Sequence, residues 1–240
     1  MFGEDLLMTH PHTAETPRTA SEILRAMWEQ RLRGLPQDDR PGDIRLRVHR
    51  SLSWLARAEE LRSQDGTASE DDQLIFTWTA LNSLYGCWLP ERREPAPDIQ
   101  SLESFLDTLF DIDQQSYLSK FTSEHKELVL EVFNNQFLAK QFWNSPTIEA
   151  AGRRTSLGRQ ANTWFIEERH RLILDKLLRN IYYLRCQLIH GAATRKSSLN
   201  RDTVRGCLGA LRTLAPVMLR VVIENGLETD WGPACYPVVK

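Results

Sequence analysis

The chain has 240 residues, of which 41% are hydrophobic and 26% charged, so global disorder, collagen and a coiled-coil rod are excluded. This length suits one to two domains and a core that needs no staples. The net charge of −2 hides an asymmetry. From Arg153 to Arg220 stand 14 Lys/Arg against 4 acids, a local +10, and the remainder of the chain carries −12. A basic segment in an acidic protein points either to a polyanion partner or to docking on the protein's own acidic half.

No apolar run approaches the ~18 residues that span a bilayer, so no membrane partner is expected. Residues 1–20 include Glu4 and Asp5 and lack an apolar core, so no secretory signal is expected either. Cys87, Cys186, Cys207 and Cys235 are far apart and form no C-x-x-C pair, which rules out a zinc ribbon by spacing. They fit reduced thiols, and a cytoplasmic location is expected.

Along the chain, residues 1–20 are polar and aperiodic and are expected to be disordered. Ser21 is the expected N-cap of a first helix, with Leu24, Met27, Trp28 and Leu32 on one stripe and Gly34–Pro36 closing it. A second helix is predicted over Ile44–Arg62, followed by a turn at Asp65–Gly66. The third begins near Ser69, with Glu70, Asp71 and Asp72 suiting a helix N-terminus. Being apolar on most sides, it belongs at the centre.

Pro90–Pro97 is a break. Shorter helices are predicted over 101–111, 114–121 and 124–142, then a polar linker over 144–158. The longest periodic segment runs from Arg159 to His190, with Trp164, Ile166, Leu172, Ile173, Leu177, Ile181, Leu184 and Leu188 on its stripe. Gly191 ends it as a C′ glycine. A loop at 196–200 leads to a last helix over Arg201–Asn225, with a kink expected at Pro216, and the tail 229–240 is irregular. No strand or internal repeat stands out. The fold class is all-α, a helical bundle: a single domain over 21–228, with N-terminal helices over 21–64, a central helix over 69–89, a motif-bearing helix over 159–191 and a last helix over 201–225.

Most catalytic signatures are missing: no G-x-S-x-G, no phosphate-binding glycine loop, no H-E-x-x-H. Of six histidines, His10, His12, His49, His125 and His170 read as surface residues, and no His/Asp/Glu set converges as metal ligands, so neither metal nor cofactor is expected. His190 differs. It closes the long helix inside the basic segment, where the helix end favours positive charge and an imidazole can serve as general acid or base. Arg185, five residues earlier, lies ~140° around the axis, so the two border one groove without stacking on one face. The other reading has His190 capping its own helix and Arg185 pairing with an acid. Arg179, Asn180, Arg195, Lys196, Arg201 and Arg205 surround the pair, as phosphate contacts or as a solvated surface. Tyr182 and Tyr183 could stack on a base or pack within the bundle. Trp78 and Trp164 are assigned to the core.

The stretch Tyr182-Tyr183-Leu184-Arg185-Cys186-Gln187-Leu188-Ile189-His190-Gly191 resembles the R-x4–6-H signature of the HEPN superfamily, and Trp78–Gly86 is similar to an earlier helix of those proteins. The resemblance covers roughly residues 45–225 in organisation. It implies a helical domain that commonly dimerises and, in catalytic members, a metal-independent endoribonuclease site shared across the dimer. On that resemblance Arg185 and His190 are catalytic, Arg179, Arg195, Lys196 and Arg201 bind RNA, and the role is that of a toxin or antiviral defence effector with an inhibitory or activating protein partner. Cys186 departs from the pattern, in which Asn, Asp or His commonly follows the Arg. The alternative is a degenerate HEPN module that binds nucleic acid, a nucleotide or a protein.

Overall fold

The computed structural model describes residues 18–35, 42–63, 70–139, 142, 144, 146, 147, 149, 155–191 and 201–236. Those residues form an all-α bundle with one two-stranded ladder. The disorder expected over 1–20 lies outside the described residues up to 17 and is not met at Thr19 and Ala20, which cap and begin the first helix; the Asp65–Gly66 turn, Ser69, Arg195 and Lys196 also lie outside the described residues.

Helix α1 (Ala20–Arg33) starts one residue earlier than its expected cap. Thr19, not Ser21, is the N-cap. Its hydroxyl accepts the Glu22 N–H at 3.3 Å, and the Glu22 carboxylate accepts the Thr19 N–H at 2.8 Å, a reciprocal capping box. Ser21 lies inside the helix, its N–H donating to Glu59 at 3.2 Å. Helix α2 (Gly42–Ser63) buries Ile44, Val48, Leu52, Leu55 and Ala58 against α3 (Glu70–Tyr85). On α3, Leu74, Trp78, Leu81 and Leu84 are fully buried, as its all-round apolar pattern requires.

The ladder starts just before the Pro90–Pro97 break and ends within it: β1 (Trp88–Leu89) pairs antiparallel with β2 (Glu94–Pro95). Two-residue strands leave no alternation to detect in sequence. Helices α4 (Asp98–Ile112), α5 (Tyr117–Glu124) and α6 (Lys126–Asn134) follow, the last ending well short of residue 142 in a 3-10 turn, Gln136–Leu138.

The long helix expected over Arg159–His190 is two helices, α7 (Ser156–Ile166) and α8 (His170–Ile189). Between them Glu168 takes φ +52°, and the Arg169 N–H donates back to the Trp164 carbonyl at 2.9 Å, closing α7 as a Schellman turn. Such turns ordinarily use glycine, so a glutamate here hides the break from sequence. Ile166, placed on the core stripe by spacing, is 80% exposed as a result.

Helix α9 (Arg201–Asn225) runs unbroken through Pro216 and packs against α1 to α6 and α8, so it shares the centre with α3. It is long and apolar enough to cross a membrane by length and composition, yet 67% of that apolar window is buried against the other helices. One core extends from Leu24 to Ile223.

The irregular tail is fixed in place by a buried cation. Arg47 of α2 is 1% exposed and has no carboxylate partner among the described residues. Instead Nη1 donates to the Leu84 and Gly86 carbonyls, both at 2.8 Å, at the C-terminal end of α3. Nη2 donates to Trp231, Gly232 and Pro233 carbonyls at 2.9, 3.1 and 3.2 Å. The charge therefore meets the negative end of α3 and staples the tail over it.

Candidate functional site

The C-terminal half of α8 crosses α3 and the N-terminal end of α4. Tyr182 is half-buried there, its ring 5.9 Å from Trp78 and 6.0 Å from Tyr183. Tyr183 is 52% exposed and Ile189 50%, two exposed apolar side chains ~120° apart around α8. Trp78 is core, while Trp164 is half-buried with its edge towards Phe133 at 6.4 Å.

Acids outside the basic segment meet several of its arginines. Arg171 pairs with Asp107 at 2.8 Å, and Arg205 with Glu70 at 2.9 Å. Arg201 pairs with Asp71 at 3.1 Å and Glu70 at 3.3 Å, and the Asp71 hydrogen bond holds its guanidinium above the ordinary arginine value. Arg179 pairs with Asp175 at 2.9 Å and also with Glu103. Two of the expected phosphate contacts, Arg179 and Arg201, thus have their charge met inside the fold. Asn180 donates to the Lys176 carbonyl at 2.8 Å, within its own helix.

Arg185 is not absorbed. It forms no ion pair among the described residues, and its one hydrogen bond is a weak one of 3.9 Å to the Cys186 thiol. Asp98, the first residue of α4, accepts from the Asn82 amide at 3.1 Å. Two phenols lie in the fields of both charges. Burial, then the Asp98 charge, pushes Tyr85 well above the ordinary tyrosine value, opposed by Arg185. Burial, then the neighbouring Cys186 thiol, pushes Tyr182 up to about 12. Both phenols therefore stay protonated near neutrality and can donate hydrogen bonds, with Asn82 and Asp98 beside the Tyr85 hydroxyl.

His190 is the C-cap of α8. Its backbone N–H donates to the Cys186 carbonyl at 2.9 Å, and Gly191 follows at φ +71°, the left-handed C′ position that glycine occupies without strain. The imidazole is exposed and hydrogen-bonds to no described residue. Arg185 and His190 thus border the same end of α8, with no bond between them. His170, expected on the surface, is instead anchored, its Nδ1 2.6 Å from the Thr122 hydroxyl. Among the described residues no group of three or more His, Cys, Asp or Glu could hold a metal ion.

Asn82, Tyr85 and Asp98 complete the surroundings of Arg185 and were not singled out by sequence. Pro97-Asp98 is itself a helix-start signal, with the acid on the positive end of α4; the predicted start at 101 passed over it. Compared with known proteins, the chain matches no family model, no curated protein and no solved structure.

Proposed function

We propose that this protein is a metal-independent endoribonuclease of the HEPN type, acting as a homodimer. The observation that carries the reading is Arg185: a half-buried guanidinium left without a carboxylate while Arg171, Arg179, Arg201 and Arg205 elsewhere in the basic segment are paired. A cation in that state offers its N–H fork to a phosphate without first breaking an ion pair. The exposed His190 at the same helix end supplies the proton-transferring group.

In this mechanism the ribose 2′-oxygen attacks the adjacent phosphorus. The product is a 2′,3′-cyclic phosphate, and the 5′-oxygen leaves as a hydroxyl. His190 moves a proton at the 2′-oxygen or at the leaving oxygen, and Arg185 offsets the charge that builds on the phosphoryl oxygens. DNA lacks the nucleophile. A second protomer, docked through the motif-bearing helices, would bring the second histidine that one proton removal and one proton donation call for. A toxin or defence role with a restraining or triggering partner fits such an activity.

The test is incubation of the purified protein with mixed RNA and with single-stranded DNA, both with EDTA. RNA alone should be cut, and His190→Ala should lower the rate by roughly 10²–10⁴-fold with helical circular dichroism unchanged. Cleavage at the wild-type rate by the variant overturns the assignment.

The contact of Arg185 with Cys186 favours a second reading, a module that binds RNA without cutting it. A thiol is a weak partner and orients the guanidinium poorly. Cys186→Asn decides between them: if the natural protein binds RNA but cuts none and the variant cuts, binding is the natural function.

A further inference from the structure

At the other end of α3 from Arg185, the start of α1, the end of α2 and the middle of α9 surround a cleft of about 470 Å³. Gln73 and Thr77 line it, ~12–18 Å along α3 from Tyr85, so it is separate from the α8 site. Three arginines converge there: Arg18 before the α1 cap, Arg62 in the last turn of α2 and Arg212 of α9. None forms an ion pair with a described residue. The single carboxylate in the lining, Glu59, is held by the Ser21 N–H at 3.2 Å.

Three guanidinium groups beside one carboxylate leave an excess of positive charge that an anion between them would offset. Arg212 is held below the ordinary arginine value by burial and then by the like charge of Arg62, with the Glu70 charge opposing them. A second polar group also lacks a partner. Gln73 is nine-tenths buried, and its Oε1 accepts from Arg212 at 2.8 Å, yet its amide nitrogen hydrogen-bonds to nothing described. Leu55 and Ala58 form an apolar wall beside these donors.

We propose that this cleft binds a small organic phosphate, with Arg212 and Arg62 gripping the phosphate, Arg18 closing over it and the uncharged body lying against Leu55 and Ala58. Arginine forks match phosphate oxygens pairwise. The volume lies within the ~300–1,000 Å³ of small-molecule sites, larger than inorganic phosphate needs. The Gln73 amide is left to donate to the body of the ligand.

Isothermal titration at low salt with adenosine 5′-monophosphate, ribose 5-phosphate, inorganic phosphate and adenosine tests this. At least one organic phosphate should bind saturably and more tightly than inorganic phosphate, and adenosine should bind at least roughly tenfold more weakly than its monophosphate. Arg62→Gln and Arg212→Gln should each weaken binding about tenfold or more. Arg57→Gln, on α2 outside the lining, should leave it unchanged. Arg62 is exposed, so its variant carries the test should Arg212→Gln fail to fold. No saturable binding of either organic phosphate, binding indifferent to Arg62→Gln, or adenosine equal to its monophosphate overturns the proposal. So does a 5′-phosphorylated oligoribonucleotide that binds through these arginines when both small phosphates do not.

Discussion

Replacing Arg47 with methionine removes the cation while keeping most of the side chain's bulk, so the loss falls on hydrogen bonds rather than on packing. Five carbonyls are affected. Gly86 retains the Cys235 N–H at 3.1 Å, and Pro233 retains the Trp88 N–H at 3.1 Å. Leu84 and Gly232 lose the one donor each has, and Trp231 keeps only the Cys87 thiol at 3.6 Å. Three stripped acceptors at ~1–3 kcal/mol each set the cost, and no longer burying a cation offsets part of it. The net destabilisation should be about 3 kcal/mol, which for a chain of this size is roughly 6–12 °C in Tm. Differential scanning calorimetry reads it, and limited proteolysis should show the tail beyond Gly226 becoming susceptible before the helices do. A fall in Tm under about 2 °C, or a tail as resistant as in the natural protein, would refute the claim that Arg47 staples it.

The raised phenols make stability depend on alkaline pH. The folded state holds the Tyr182 proton up to about 12, against 10.0 when unexposed to these surroundings, so this contribution is complete below pH 10 and lost as pH rises towards 12. The alkaline fall in Tm should be shallower in Tyr182→Phe, and an identical slope would remove Tyr182 as its source. For the dimer, mixing His190→Ala subunits with Arg185→Ala subunits should give cleavage above that of either variant alone. Full activity from a protein that light scattering finds monomeric at assay concentration would exclude a shared site.

Sequence by itself determined what depends on neighbours along the chain. The helical class and the buried faces of α2 and α3 followed from 3.6-residue periodicity, because a helix must bury its apolar stripe. The end of α8 at His190 followed from Gly191, since a left-handed C′ residue is a local requirement. Arg185 and His190 were readable as a pair for the same reason: both belong to one helix.

Tertiary structure decided everything set by residues far apart in the chain. The charge asymmetry of the segment 153–220 was plain, but either docking or polyanion binding satisfied it. Only the fold showed Arg171, Arg179, Arg201 and Arg205 meeting acids of α3, α4, α8 and α9 while Arg185 meets none. The break at Glu168 was illegible because a glutamate adopts the left-handed turn that glycine usually signals. Arg47 sits beside the apolar stripe of α2 like any flanking cation, and its burial depends on carbonyls up to 186 positions away. Local patterns record which side chains must leave water. Which charges find partners once they do is settled by long-range packing, and the unpaired arginines on which both proposals rest could be identified only there.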